Sequence, residues 1–177
     1  MADLISGYAV VFNSETNIAG AFREKISVGA FDKSLREQPD VLALWNHNYD
    51  RPLGRTSSGT LDLRSDRIGL WFGLHPDETT PDGLTAIGTV RRQDVRGCSF
   101  GFTVMREIWE EGDDGQLPLR TVEEAILWEV TLTPLPAYTE TSAALSSASR
   151  ASDNATNANR RIAVRNAEAA MRLRGIA

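Results

Sequence analysis

The segment VRGCSFGF, residues 95–102, sets a thiol and a hydroxyl side by side between two glycines. Either Cys98 or Ser99 can attack a carbonyl, but a serine hydroxyl is a poor nucleophile until a neighbouring base takes its proton. The base is most often an imidazole, whose second nitrogen needs an acceptor that fixes the tautomer and stabilises the positive charge. Only two histidines are available, His47 and His75. His47 follows the apolar run VLALWN and is expected to emerge at the end of a strand, against a wall of low dielectric. His75 lies in LHPDETTPDG, beside a proline and among acids, and reads as part of a solvated loop. His47 is the stronger candidate. Glu129 interrupts an apolar stretch between Trp128 and Val130. Alternation makes it either the polar face of an ordinary edge strand or an acid directed into a polar pocket.

Gly97 to Gly101 matches G-x-S-x-G, the pattern of a nucleophile elbow, yet the context is wrong. An elbow needs a helix after the serine and a histidine later in the chain. Here FGFTVMREIW continues as a strand, and both histidines precede Ser99. A serine held on a strand, with its base on another strand, survives this test. So does a plain alternative, in which Ser99 and its flanking glycines are merely small enough to let two strands approach. Neighbours on a strand point to opposite faces, so Cys98 and Ser99 cannot share one site. A cysteine hydrolase built on Cys98 and His47 is the corresponding rival.

These residues need elements to hold them. GYAVVF, DVLALW, GTLDLRS, GLWFGLH, LTAIGTV, SFGFTVMREIW and AILWEVTLTPL are short runs rich in β-branched, leucine and aromatic residues, separated by turn formers. They predict a mainly β protein with a few helices (α+β), closed or partly closed into an antiparallel barrel of about seven strands. Gly29-Ala30-Phe31 opens a helical pattern, with Phe31 and Leu35 four apart on one face. Residues 1–140 read as the folded domain, 141–159 as a flexible Ala/Ser/Asn/Thr linker, and 160–177 as a basic tail, helical or disordered.

Composition narrows the function classes. The formal charge is −5 overall; the last 28 residues carry +4, so the first 149 carry −9. An acidic body argues against nucleic acid as its partner and leaves the tail as an adaptor. The single cysteine precludes an internal disulfide, no Cys/His cluster has zinc-site spacing, and no cofactor is expected. No stretch approaches the roughly 18 apolar residues of a membrane span. MADLISGYAVVF lacks the features of a signal peptide, so a cytosolic setting is expected.

Six blocks then stand in order: GYAVVFN, KISVGAFDKSL at 25–35, LWNHNYDRPLGRT at 44–56, GLWFGLHPDET at 69–79, VRGCSFGFTV at 95–104 and WEVTLTPLPAY at 128–138. Together they resemble the caudovirus prohead maturation serine proteases, which are similar to the herpesvirus assemblins. The resemblance covers nearly all of residues 7–140 and implies an assemblin-like fold. It implies a triad of Ser99, His47 and a third member. Assemblins use a second histidine there; none follows Ser99 in this chain, and Glu129 is the natural substitute. Arg55, in the block PLGR, stays outside the triad. The activity implied is a serine endopeptidase that removes the scaffolding segment of the major capsid protein, and cuts itself, through an acyl-enzyme. Its setting would be the immature phage capsid in the host cytoplasm, or the bacterial cytoplasm for an integrated prophage. The capsid protein is the implied partner and self-association is open; neither nucleic acid nor membrane is expected. The alternative is a catalytically inactive capsid assembly or scaffolding protein in which Ser99 only packs.

Overall fold

The structure, a computed structural model, describes residues 3–38, 40–113 and 115–146. In chain order the elements are β1 (Leu4–Val11), β2 (Thr16–Ile18), β3 (Phe22–Ile26), α1 (Asp32–Glu37), β4 (Leu42–Trp45) and β5 (Asn48–Arg55), then β6 (Leu61–Ser65), β7 (Gly69–Leu74), α2 (Pro81–Arg91), β8 (Gly97–Glu110), β9 (Leu119–Thr133) and β10 (Ala144–Ser146). Among the described residues the protein is mainly β with two α-helices, as its run of short strand-like segments predicts.

β9 is the organising strand. One of its edges pairs antiparallel with β8 along nearly its whole length. The other edge is shared: β3 pairs with it in parallel at 119–122, and β4 in parallel at 129–132. Between those partners the edge would be bare. The α1 region fills the gap, since the Ala125 N–H donates to the Ala30 carbonyl at 2.9 Å and the Leu127 N–H to Ser34 Oγ at 3.0 Å. Ser34 is therefore a buried polar residue with a reason: it satisfies a backbone donor that no strand reaches. β2 and β5 complete this six-stranded sheet beyond β3 and β4, and a second sheet runs β10-β1-β7-β6.

The strands do not close into a barrel, contrary to the sequence expectation. No strand pairs from one sheet to the other among the described residues, and ten strands are present rather than about seven. The sheet around β9 is also mixed rather than antiparallel. Closure depends on which edges meet, and a run of strand-like segments carries no information about that. The second correction concerns LTAIGTV, which lies within α2 and is not a strand. Thr80 caps this helix by accepting from the Gly83 N–H at 3.1 Å, and Pro81 occupies its first turn. Gly83, Ala86, Ile87 and Val90 are buried at i, i+3, i+4 and i+7, a helical stripe that extends past the run as a strand would be read.

The main core lies between the two sheets and under the helices. Ile5, Val10 and Phe72 meet Phe31, Ile87, Phe100, Leu127 and Val130 there. The two sheets are laced together by residues 141–143. Ser142 donates its N–H to the Tyr8 carbonyl at 3.0 Å and accepts from the Tyr8 N–H through Oγ at 3.1 Å. Thr141 Oγ1 accepts from the Cys98 N–H at 3.2 Å, and the Ala143 N–H donates to the Arg96 carbonyl at 2.9 Å. Gly7 permits the approach, because a Cβ there would fall 2.0 Å from the Ser142 carbonyl oxygen. β10 follows, pairing with Leu4–Ser6 of β1. Residues 141–146, placed in the linker by their composition, thus belong to the body. The remainder of that linker and the basic 160–177 tail lie outside the described residues.

Candidate active site

β4 and β5 form a hairpin whose two-residue loop is Asn46-His47, with Trp45 and Asn48 paired across it. Both loop residues have positive φ, 51° and 58°, as a type I′ turn requires. Asparagine tolerates this region; histidine is less at ease there, at a cost of about 1–2 kcal/mol. Three hydrogen bonds to β9 hold the turn. The Asn46 N–H donates to the Leu132 carbonyl at 3.0 Å, Thr133 Oγ1 donates to Asn46 Oδ1 at 3.0 Å, and the His47 N–H donates to Thr131 Oγ1 at 2.8 Å. Thr131 Oγ1 in turn donates to the Leu44 carbonyl at 3.0 Å. The imidazole is thereby aimed at β9 while remaining half-exposed.

There it meets Glu129. His47 Nδ1 and Glu129 Oε1 are 2.7 Å apart, and the Glu129 side chain is only 3% exposed. A register shift explains how an acid leaves the apolar face. Phe102 pairs with Leu127 and Gly101 with Glu129, so Trp128 is an extra residue on β9. This bulge lets Leu127 and Val130 both face the core, while Trp128 is exposed and Glu129 turns to the outer face. Bulges often re-aim a side chain beside an active site in this manner. Gly101 makes room, since a Cβ there would lie 2.7 Å from Glu129 Oε1. Burial pushes the Glu129 carboxyl above its ordinary range, while the hydrogen bond to His47 pulls the other way. Its second oxygen, Oε2, is buried without a hydrogen-bond partner.

Ser99 pairs directly with Thr131 on β9, with no register shift between Gly97 and Gly101. Directly opposed residues share a face and have Cβ atoms roughly 4.5–5.5 Å apart. Ser99 and Thr131 therefore lie on the same outer face as Glu129, two residues along. Thr131 is also the tether of His47, so Ser99 on β8 stands directly across from the β9 residue that holds the imidazole in its contact with Glu129. Cys98 points the other way, into the core, where burial and then the Glu129 charge push its thiol far up. It is protonated at neutral pH and inaccessible, which disfavours the thiol alternative. His75 follows β7 in the other sheet, where its Nε2 lies 3.7 Å from Asp62 Oδ2. No group of three His, Cys, Asp or Glu side chains could hold a metal among the described residues, and no helix there is long and apolar enough to cross a membrane.

Sequence reasoning missed Thr131, Asn46 and Gly101 as supports of this site. Thr131 could have been found, because its position two residues after Glu129 puts it on the same face of a strand. The role of Gly101 depends on cross-strand register and leaves no local trace.

A family model described as caudovirus prohead serine protease matches residues 1–156. No curated protein matches the chain. Among solved structures, the varicella-zoster virus protease is similar with a TM-score of 0.47 and 11% identity, over 82% of this chain and 64% of that one. The chain thus spans less than two thirds of the length of that protein.

Proposed function

This chain belongs to the caudovirus prohead serine protease family, and from that premise we propose that Ser99, His47 and Glu129 are its catalytic triad. Its substrate is the scaffolding segment of the phage major capsid protein, and in part the chain itself, cut inside the immature capsid. The observation that supports this reading best is the 2.7 Å contact between His47 Nδ1 and a buried Glu129 oxygen, on the face that Ser99 occupies. With Nδ1 engaged, Nε2 is the nitrogen free to take the Ser99 proton as the hydroxyl attacks the scissile carbonyl. The same nitrogen returns that proton to the leaving amine, and water then releases the acyl group by the reverse sequence. Glu129 stabilises the imidazolium, an interaction strengthened by its burial.

The charge asymmetry supports a second part of the proposal. Residues 147–177 tether the acidic body to acidic scaffold or shell surface through their arginines. Confinement raises enzyme and substrate concentration together, as tethering does.

Co-expression with the capsid protein tests the assignment. Ser99→Ala is expected to leave the capsid protein at full length in shells of normal size and yield. Normal processing by that variant would overturn the assignment and leave an assembly protein in its place.

A further inference from the structure

Beside the proposed triad, the outer face of the β9 sheet is hollowed into a groove of about 440 Å³, lined by Gln38, Asp40, Leu42, Tyr49, Arg55 and Trp128. It is continuous with the site. Leu42 is the cross-strand partner of Glu129, Trp128 precedes Glu129 in the bulge, and Tyr49 lies two residues after His47. Two large aromatic side chains are left exposed there, Tyr49 at 63% and Trp128 at 46%. The indole is not loose, because Trp128 Nε1 donates to Thr103 Oγ1 at 2.8 Å.

The charged end of the groove is closed on itself. Arg55 Nε and Nη2 donate to the two oxygens of Asp40 at 2.8 and 2.6 Å, a bidentate fork. With its acid and its base facing each other, the groove offers no free charge to a ligand, whereas its aromatic faces favour apolar or aromatic contact.

We propose that this groove is the substrate's specificity subsite, receiving one large uncharged side chain, aromatic or long aliphatic, close to the scissile bond. This rests on the reading of Ser99, His47 and Glu129 as the triad. From β8 to β4 is two strand spacings, roughly 10 Å, and Trp128 lies three residues along β9 from the Ser99 row, again roughly 10 Å. An extended substrate covers about 3.3 Å per residue, so the side chain belongs within about four residues of the cut. The Arg55 of the PLGR block then has a task outside the chemistry: it neutralises Asp40 and walls the groove.

The test uses the full chain and a library of 12-residue peptides randomised at single positions, with cuts mapped by mass spectrometry. The wild type is expected to prefer Phe, Tyr, Leu or Met over Ala at one position within four residues of the cut. Tyr49→Ala and Trp128→Ala are each expected to lower that kcat/KM ratio by about tenfold, the scale of losing apolar contacts in a pocket. Trp128→Phe should restore most of it, which separates loss of the ring from damage to the bulge. A preference unchanged in both alanine variants overturns the groove and leaves the triad standing. A wild-type preference for Asp, Glu, Lys or Arg at that position also overturns it. A wild-type chain that cuts no peptide, and no co-expressed capsid protein, overturns the triad and the groove together.

Discussion

At the scale of single residues, the decisive feature is the environment of Glu129. A carboxylate held in a nearly closed site is costly, and its unpartnered Oε2 adds about 1–3 kcal/mol to that cost. Glu129→Gln is expected to lower kcat by as much as roughly 10⁴, since an amide in that place can hold the wrong imidazole tautomer. The same variant should be the more heat-stable protein at neutral pH. Because burial raises the folded-state pKa of Glu129 above its unfolded value, its contribution to stability is complete below the unfolded value and is lost as pH rises through the folded one. The melting temperature of the Gln variant should therefore gain on that of the wild type between pH 4.5 and pH 8. Thermal melts at the two pH values check it, and a gap that narrows over that range contradicts the raised pKa. His47 was legible as a candidate because it follows an apolar run, and Glu129 because it interrupts one. The interaction between them was not, since they lie 82 positions apart and only the shared edge of β9 joins them.

At the scale of elements, a strained turn is fastened to a bulged strand. The fastening atom is Thr131 Oγ1, which serves the His47 N–H and the Leu44 carbonyl at once. Thr131→Val keeps the shape and removes both bonds. It is expected to lower kcat about tenfold with little change in KM, because the ring loses its aim while the substrate groove is untouched; Thr131→Ser should recover most of the loss. Steady-state kinetics on one mapped peptide decides this. Strands such as β1, β7 and the start of β8 were readable from their β-branched and aromatic content. The bulge at Trp128 was not, because it exists only relative to Gly101 and Phe102 on β8. α2 was misread because LTAIGTV is short and β-rich, and the stronger signal was the cap upstream, Thr80 followed by Pro81.

At the scale of the whole molecule, two open sheets are joined by a strap that composition alone assigned to a linker. Ala and Ser dominate residues 141–146, yet Ala143 is fully buried and Leu145 packs on the core. Small residues are what a close approach to Gly7 demands, so the same composition serves a loop or a seam. Truncation after Ser146 is expected to leave melting temperature and peptide cleavage unchanged. Truncation after Glu140 removes β10 and the strap, at a cost of roughly 2–3 kcal/mol, which corresponds to about 5–10 °C in Tm. Equal melting temperatures for the two would contradict a structural role for the strap. The strap also grips Cys98, the immediate neighbour of Ser99, through Thr141. Under the proposed self-cleavage, the position of the cut then sets the enzyme's working lifetime. A nick beyond Ser146 removes only the proposed tether, whereas a nick before Thr141 unbuckles the strand bearing the proposed nucleophile and ends its career.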